Sequence, residues 1–473
     1  MLQSHYIRVS YARPILFFAI GLILAALAAC SNGDPPDDGG SSSSGGDSPI
    51  INSSSGGNNP GTSSSGGNNP GTSSSGGNVI GNEWPFDSSG ENLTATPGLN
   101  DLNLENAITI KYKNGSAPEI SNSLSDVKID KTGENVVVTI PDGSDEYIFV
   151  LSGATSNGSF KLYGDARKRL YLNGINITNS NGPAINIQGS KRVLVHLVNG
   201  TQNFLTDGPN YTQTEGEQAK GTFFSEGKLN FEGSGSLEVK GKYNHAIVAD
   251  NDFEISNGKI IVSESVNDGI HANSAIEIGG GVLIISSTGD AIQSEKNDGK
   301  VLISGGKIKA QTTGVKSHGI ASEGPVSIYG SSAVIQINTF GNGSKGIRSR
   351  GQVIVKNGKT SIKTSGTKHT DPGDSSDESN AAGIKLAGNF SIQGGELTIK
   401  SLGNEAKGIN VEKDATIEAG KIDIEADDNG IRVHGTLRIT GGTGSIKSKK
   451  QKAINADVWD KNKGSLTVID GGS

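Results

Sequence analysis

The chain has 473 residues, a formal net charge of −7, 69 glycines, 33% hydrophobic and 5% aromatic residues, and one cysteine. The acidic balance speaks against nucleic acid as a partner, which calls for a basic footprint, and a lone cysteine excludes an internal disulfide framework. So few apolar side chains fit a disordered segment, a repeat with small residues inside, or both.

Residues 1–30 read as a secretory leader, with Arg8 and Arg13 in the charged part and an apolar run from Ile15 to Leu27 too short to span a membrane. The end of this run, Leu27-Ala28-Ala29-Cys30, resembles the lipobox of bacterial lipoproteins. That resemblance implies lipidation at Cys30 and anchoring to a membrane by acyl chains alone. Ser31, in place of an aspartate, implies the outer membrane or cell surface by the same sorting rule. Residues 31–82 are a linker: the decapeptide Ser-Ser-Ser-Gly-Gly-Asn-Asn-Pro-Gly-Thr fills 53–62 and again 63–72. Such a coil buries no core and spans roughly 40 Å root-mean-square, which suits a tether.

Residues 83–182 carry irregular β pattern, including Val136-Val137-Val138-Thr139-Ile140 and Tyr147-Ile148-Phe149-Val150-Leu151. They are expected to cap a larger β domain and form its first turns. Trp84 and Trp459 lie near its two ends, where end-cap packing and sugar stacking are the two readings.

From 183 to 473 one unit repeats. Asp268-Gly269-Ile270-His271-Ala272, Asp290-Ala291-Ile292-Gln293-Ser294, His318-Gly319-Ile320-Ala321-Ser322 and Lys345-Gly346-Ile347-Arg348-Ser349 are its clearest copies. Aligned on isoleucine, the series runs Ile185, Ile247, Ile270, Ile292, Ile320, Ile347, Ile384, Ile409, Ile431 and Ile454, with a divergent unit near Phe223. Steps of 22 or 23 residues with three short strands and no helical pattern predict an all-β parallel β-helix of about ten coils. Antiparallel hairpins, which Asp-Gly also signals, explain the three-strand period poorly.

In a strand, residues i and i+2 share a face. The isoleucine and the residue two later are therefore expected inside. The residue between them is expected outside, giving a solvent-facing polar stripe that includes His271, Gln293, Arg348, Lys385, Asn410 and Arg432. Spaced ~4.8 Å apart, these residues could follow an extended polysaccharide, with the cations donating to carboxylates or hydroxyls. Two insertions, from Asp207 to Glu217 and from Thr367 to Asn380, break the period.

Asp268 and Asp290 should lie on neighbouring coils, where two carboxylates repel unless a cation or a proton intervenes. Calcium held by Asp268, Asp290 and Asn267 is one reading. Two solvated corner carboxylates that accept from turn amides are the other. A pair about 5 Å apart would also suit a retaining glycosidase, though nothing in the sequence raises either pKa. No Ser-His-Asp grouping and no Cys/His metal spacing is visible.

Val150-Leu151-Ser152-Gly153, Leu172-Asn173-Gly174-Ile175-Asn176-Ile177, Leu205-Thr206-Asp207-Gly208 and the recurring Asp-Gly-Ile-His-Ala and Ile-Ser-Gly-Gly elements resemble one bacterial family over roughly residues 120–473. It is the carbohydrate-binding parallel β-helix family whose fold is like that of calcium-dependent polysaccharide lyases. The resemblance implies a right-handed parallel β-helix, bound calcium, and binding of cellulose or acidic polysaccharide without established catalysis. The chain departs from the family where Asp-Asp-Gly-Ile is usual: of the positions two before isoleucine, only Asp268 and Asp290 keep the aspartate.

The expectation is a lipid-tethered, monomeric, non-catalytic polysaccharide binder with calcium as its cofactor. A calcium-dependent lyase using Lys316, Arg348, Lys385 or Arg432 as base, an adhesin and a passive spacer are the alternatives.

Overall fold

The computed structural model describes residues 93–457 and the strand Thr467–Ile469. Cys30, the linker, Trp84 and Trp459 lie outside the described residues.

Each coil supplies three strands, as in Ile270–Ala272, Ile276–Ile278 and Val282–Ser287. The first strands of successive coils stack into a ladder of 14. The second and third stack into two ladders that form one 25-stranded sheet. These two are joined because Arg167–Asn179 is long enough to pair with Val193–Leu197 by its first half and with Gln202–Asp207 by its second. The neighbouring strand Glu146–Thr155 turns this corner at Gly153, whose φ is +82° and where a Cβ would stand 2.1 Å from the Tyr112 carbonyl oxygen. Only glycine fits there.

The isoleucine column is present. Ile247, Ile270, Ile292, Ile320, Ile347, Ile384, Ile409, Ile431 and Ile454 are register partners in a parallel ladder. The column continues toward the N-terminus through Phe223, Ile185, Phe160 and Val136. Thirteen of the 14 strands therefore stack in parallel, against the ten or so coils expected, because alignment on isoleucine passes over coils that carry phenylalanine or valine. The remaining strand, Lys128–Thr132, pairs antiparallel with Asn135–Thr139. A second antiparallel pair, Ile108–Lys113 with Ser116–Ser121, adjoins the other sheet.

The core is one continuous apolar cluster from Ile108 to Leu437. Small inward residues two after the isoleucine are accommodated by bonds of their own. Buried Ser294 donates to the Ser274 carbonyl at 2.6 Å, and buried Ser349 to that of Gly324 at 2.8 Å. The glycine before six of the column isoleucines, from Ile270 to Ile431, has a steric cause. A Cβ on Gly269 would lie 2.3 Å from Ile285 Cγ2, and one on Gly346 would lie 2.2 Å from Ile362 Cγ2. The third strand of the coil presses on the first at this corner, so side-chain volume there is shared between the two.

Candidate functional site

The outer surface of the 14-strand ladder carries three columns of side chains, two before, one after and three after the column isoleucine. The middle column holds the predicted stripe, and the register places His271 beside Gln293, then Ala321, Arg348, Lys385, Asn410 and Arg432 in succession. The expectation that this stripe faces open solvent needs correction. His271, Arg348, Lys385 and Asn410 are buried, and Gln293 and Arg432 are half-buried. Long side chains of the flanking columns stand on either side of it.

Charge pairing explains how guanidinium groups are tolerated there. Arg348 Nη1 lies 2.9 Å from Glu323 Oε1, and Arg350 Nε lies 2.7 Å from Glu323 Oε2. Arg432 pairs with Asp457 at 3.5 Å. Glu323 and Asp457 each sit three after a column isoleucine, as do Glu295 and Glu412. Carboxylates of this column thus neutralise the guanidinium groups of the stripe. The column was readable as a position in the repeat, but its pairing with the stripe was not.

The predicted ion site is also arranged differently. Asp268 Oδ2 lies 3.1 Å from His245 Nδ1 and 3.1 Å from His271 Nδ1. His271 Nδ1 is in turn 2.9 Å from Gln293 Oε1, and His271 Nε2 is 3.2 Å from Glu295 Oε2. The two imidazoles stand 4.3 Å apart, centroid to centroid. Asp268 Oδ1 accepts the Asp290 N–H at 2.8 Å, and Asp290 Oδ1 accepts the His318 N–H at 2.6 Å. Asn267 is exposed at the corner.

Burial would lower the His271 pKa, but its bonds to Asp268 and Glu295 outweigh that and raise it to about 9. Burial lowers that of His245. Burial would raise the Asp268 carboxyl, yet the two imidazoles hold it well below the usual range. Asp290 is pushed well up, by burial first and the Asp268 charge second. Calcium takes six to eight oxygens. A carboxylate flanked by two imidazole nitrogens, with its other oxygen on a backbone amide, does not fit calcium at Asp268, Asp290 and Asn267. His245, known from the sequence only as a departure from Asp-Gly-Ile, is the residue that changes the chemistry.

The turns that lead into the 14-strand ladder form a rim on which exposed apolar side chains are interspersed with exposed polar ones such as Thr288 and Ser365. Tyr243, Val266, Val315, Phe340 and Leu402 are all exposed, Val315 by 53%, and all lie in the turn that leads into a strand of the 14-strand ladder. Tyr211 and Tyr243 stack on each other at 4.0 Å and 16°, so one face of each ring is used. Toward the N-terminal end the middle column enters an open pocket of about 250 Å³, where Lys161, Asn186, Asn181, Thr214 and Glu217 are among the lining residues. Both insertions lie against this face. Ala219, just after the first, packs on Phe224 and Val248 of the middle column. The second forms the hairpin His369–Asp371 with Asp374–Ser379, and buried Lys345 donates to its Ser379 hydroxyl.

A family model described as "Carbohydrate-binding domain-containing protein" matches residues 132–407. A protein of the same description from Acetivibrio thermocellus is 33% identical over 95 residues, which is 20% of this chain and 33% of that relative. The chain thus spans about a third of that relative's length. A solved polysaccharide lyase-like protein from C. thermocellum is 20% identical, with a TM-score of 0.39 over 64% of this chain and 96% of that one. A likeness that loose has no bearing on activity.

Proposed function

The chain belongs to the carbohydrate-binding domain-containing protein family, and on that premise we propose that it is a tethered, non-catalytic binder of a neutral, hydroxyl-rich polysaccharide. The observation that carries the reading is the rim of Tyr243, Val266, Val315, Phe340 and Leu402 beside a polar column. A pyranose ring has apolar C–H faces and a hydroxyl edge. A chain of such rings meets both needs on a surface that offers apolar contacts along one line and hydrogen-bonding groups along the next. The pocket lined by Asn181, Asn186 and Thr214 adds amide and hydroxyl partners at one end.

A neutral polymer is preferred to a polyuronate because the stripe's guanidinium groups already have carboxylates: Arg348 shares Glu323 with Arg350, and Arg432 has Asp457. A guanidinium group is not deprotonated in proteins, which disfavours arginine as the base a lyase needs. The lipobox-like end at Cys30 and the linker of residues 31–82 support a tether at the outer membrane or cell surface.

Retention on insoluble cellulose, insoluble xylan and pectate gel tests the binding. Retention on the neutral polymers, reduced by joint Val315→Ser and Phe340→Ser changes at these exposed positions, is the expected result. Preference for pectate would overturn the neutral-glycan reading, and unsaturated product from polygalacturonate would overturn the non-catalytic one. No retention on any glycan would leave the rim to a protein partner. Fatty-acid labelling that persists after Cys30→Ala would rule out the anchor.

A further inference from the structure

The cluster around Asp268 includes His271 and Gln293 of the middle column, at its buried base. Three lone-pair atoms converge there: His245 Nδ1, Asp268 Oδ2 and His271 Nδ1, all within 4.8 Å of one another in a buried setting. Each nitrogen of His271 faces an acceptor. Glu295 Oε2, at 3.2 Å from Nε2, takes the proton of that nitrogen. Nδ1 faces Asp268 Oδ2 at 3.1 Å and Gln293 Oε1 at 2.9 Å, and its proton is the one a metal ion would displace. His245 Nδ1 meets the same Asp268 oxygen at 3.1 Å and receives only a long bond, 3.3 Å, from the Asp268 N–H. An imidazolium proton can hold these atoms together, and so can a metal ion that takes its place.

We propose that His245, Asp268 and His271 form a site for a divalent transition metal of the zinc type, with Gln293 Oε1 as the fourth donor. Bonds of ~2.0–2.1 Å to a tetrahedral ion place neighbouring donor atoms ~3.3 Å apart, and the three closest contacts here are 2.9–3.1 Å. Imidazole nitrogen with carboxylate oxygen suits zinc, cobalt or nickel, whereas calcium and magnesium take oxygen alone. Glu295 supplies the carboxylate that commonly receives the second N–H of a metal-bound histidine. The ion would tie together three coils through donors on successive first strands, His245–Ala249, Ile270–Ala272 and Ile292–Ser294, and on the turn before the second.

The test uses the full chain, stripped with chelator and titrated with cobalt(II), then zinc(II). The expected result is one cobalt per chain, with visible absorption of a four-coordinate ion that one zinc abolishes. X-ray absorption of the zinc form should show a shell of nitrogen and oxygen containing two imidazoles. Loss of an outer carboxylate costs roughly 10- to 100-fold in metal affinity, and Glu295→Ala, at a side chain 55% exposed, should weaken binding by that factor. His271→Gln should abolish stoichiometric binding with the far-ultraviolet circular dichroism unchanged. No stoichiometric cobalt band, a zinc shell with fewer than two imidazoles, or calcium displacing zinc at equal concentration would overturn the proposal. The first two readouts need no substitution, so a variant that fails to fold does not blunt them. Glycan retention is a separate measurement, and either reading can fail alone.

Discussion

Asp268 Oδ1 accepts the backbone N–H of Asp290, its register counterpart on the next coil, at 2.8 Å. The same bond recurs one coil on, where Asp290 Oδ1 accepts from His318 at 2.6 Å, and again where His318 Nδ1 accepts from Lys345 at 3.1 Å. Before each of these isoleucines the chain turns a corner, and a short acceptor side chain there occupies the amide of the following coil. Asp290→Ala should therefore orphan the His318 amide and destabilise the fold by about 1–3 kcal/mol. Asp290→Asn keeps an acceptor oxygen and should cost less. Urea denaturation of the two variants beside the parent measures the difference, and equal losses would rule out this role.

The glycine before the column isoleucine is matched to the residue it meets. A Cβ on Gly319 would lie 2.2 Å from Ile337 Cγ2. On the preceding coil the register partner of Ile337 is Ala310, and there the chain carries Ala291 where Gly319 would stand. Small faces large, or small faces small. Gly319→Ala alone should cost about 1–3 kcal/mol through overpacking, and Ile337→Ala alone about 2–5 kcal/mol through a cavity. Combined, they should lose less than the sum, by a coupling of about 0.5–3 kcal/mol. Strict additivity in a double-mutant cycle would argue against shared volume at this corner.

The same complementarity shows why the fold was legible and the site was not. An inward isoleucine every coil is a pattern along the chain, and it located Ile185 and the column from Ile247 to Ile454 without any contact being known. It failed at Val136 and Phe160, where a different apolar residue serves the same column. Site contacts run across coils instead. His245 and His271 meet only because loops of unequal length return successive coils to one register, setting adjacent columns side by side, and Glu323 reaches Arg348 by the same route. The period-two argument correctly placed His271 and Arg348 opposite the core. It could not see that flanking columns would cover them.

Glu323 accepts from two guanidinium groups, and both it and Arg348 are largely covered, with side chains 14% and 7% exposed. Glu323→Ala would leave the Arg348 charge inside without this partner, a change that typically costs about 3–5 kcal/mol for a buried pair. Replacing both by methionine should cost far less, since apolar side chains of similar length avoid the desolvation. Thermal and urea unfolding of the single and double variants distinguish the cases. A double variant as unstable as Glu323→Ala would show that the pair also orders the sheet face.

Asp207 gives the fold a pH dependence whose sign can be worked out. Its Oδ2 accepts from Tyr211 at 2.6 Å and its Oδ1 from the Lys242 amide at 2.5 Å, beneath the Tyr211–Tyr243 stack. Burial raises its pKa more than these bonds lower it. The folded state therefore binds the Asp207 proton more tightly than the unfolded state, whose carboxyl titrates near 3.9. By linkage, the group favours folding most below that value, and the advantage is lost as pH rises through the folded pKa. Asp207→Asn removes the titration while keeping one acceptor oxygen. The variant should thus compare worst with the parent at about pH 4 and progressively better toward pH 7, where the parent must hold a buried carboxylate. Urea midpoints of both proteins across that range provide the measurement. A difference that stays constant, or grows toward neutral pH, would mean that Asp207 ionises at least as readily in the folded chain as in the unfolded one.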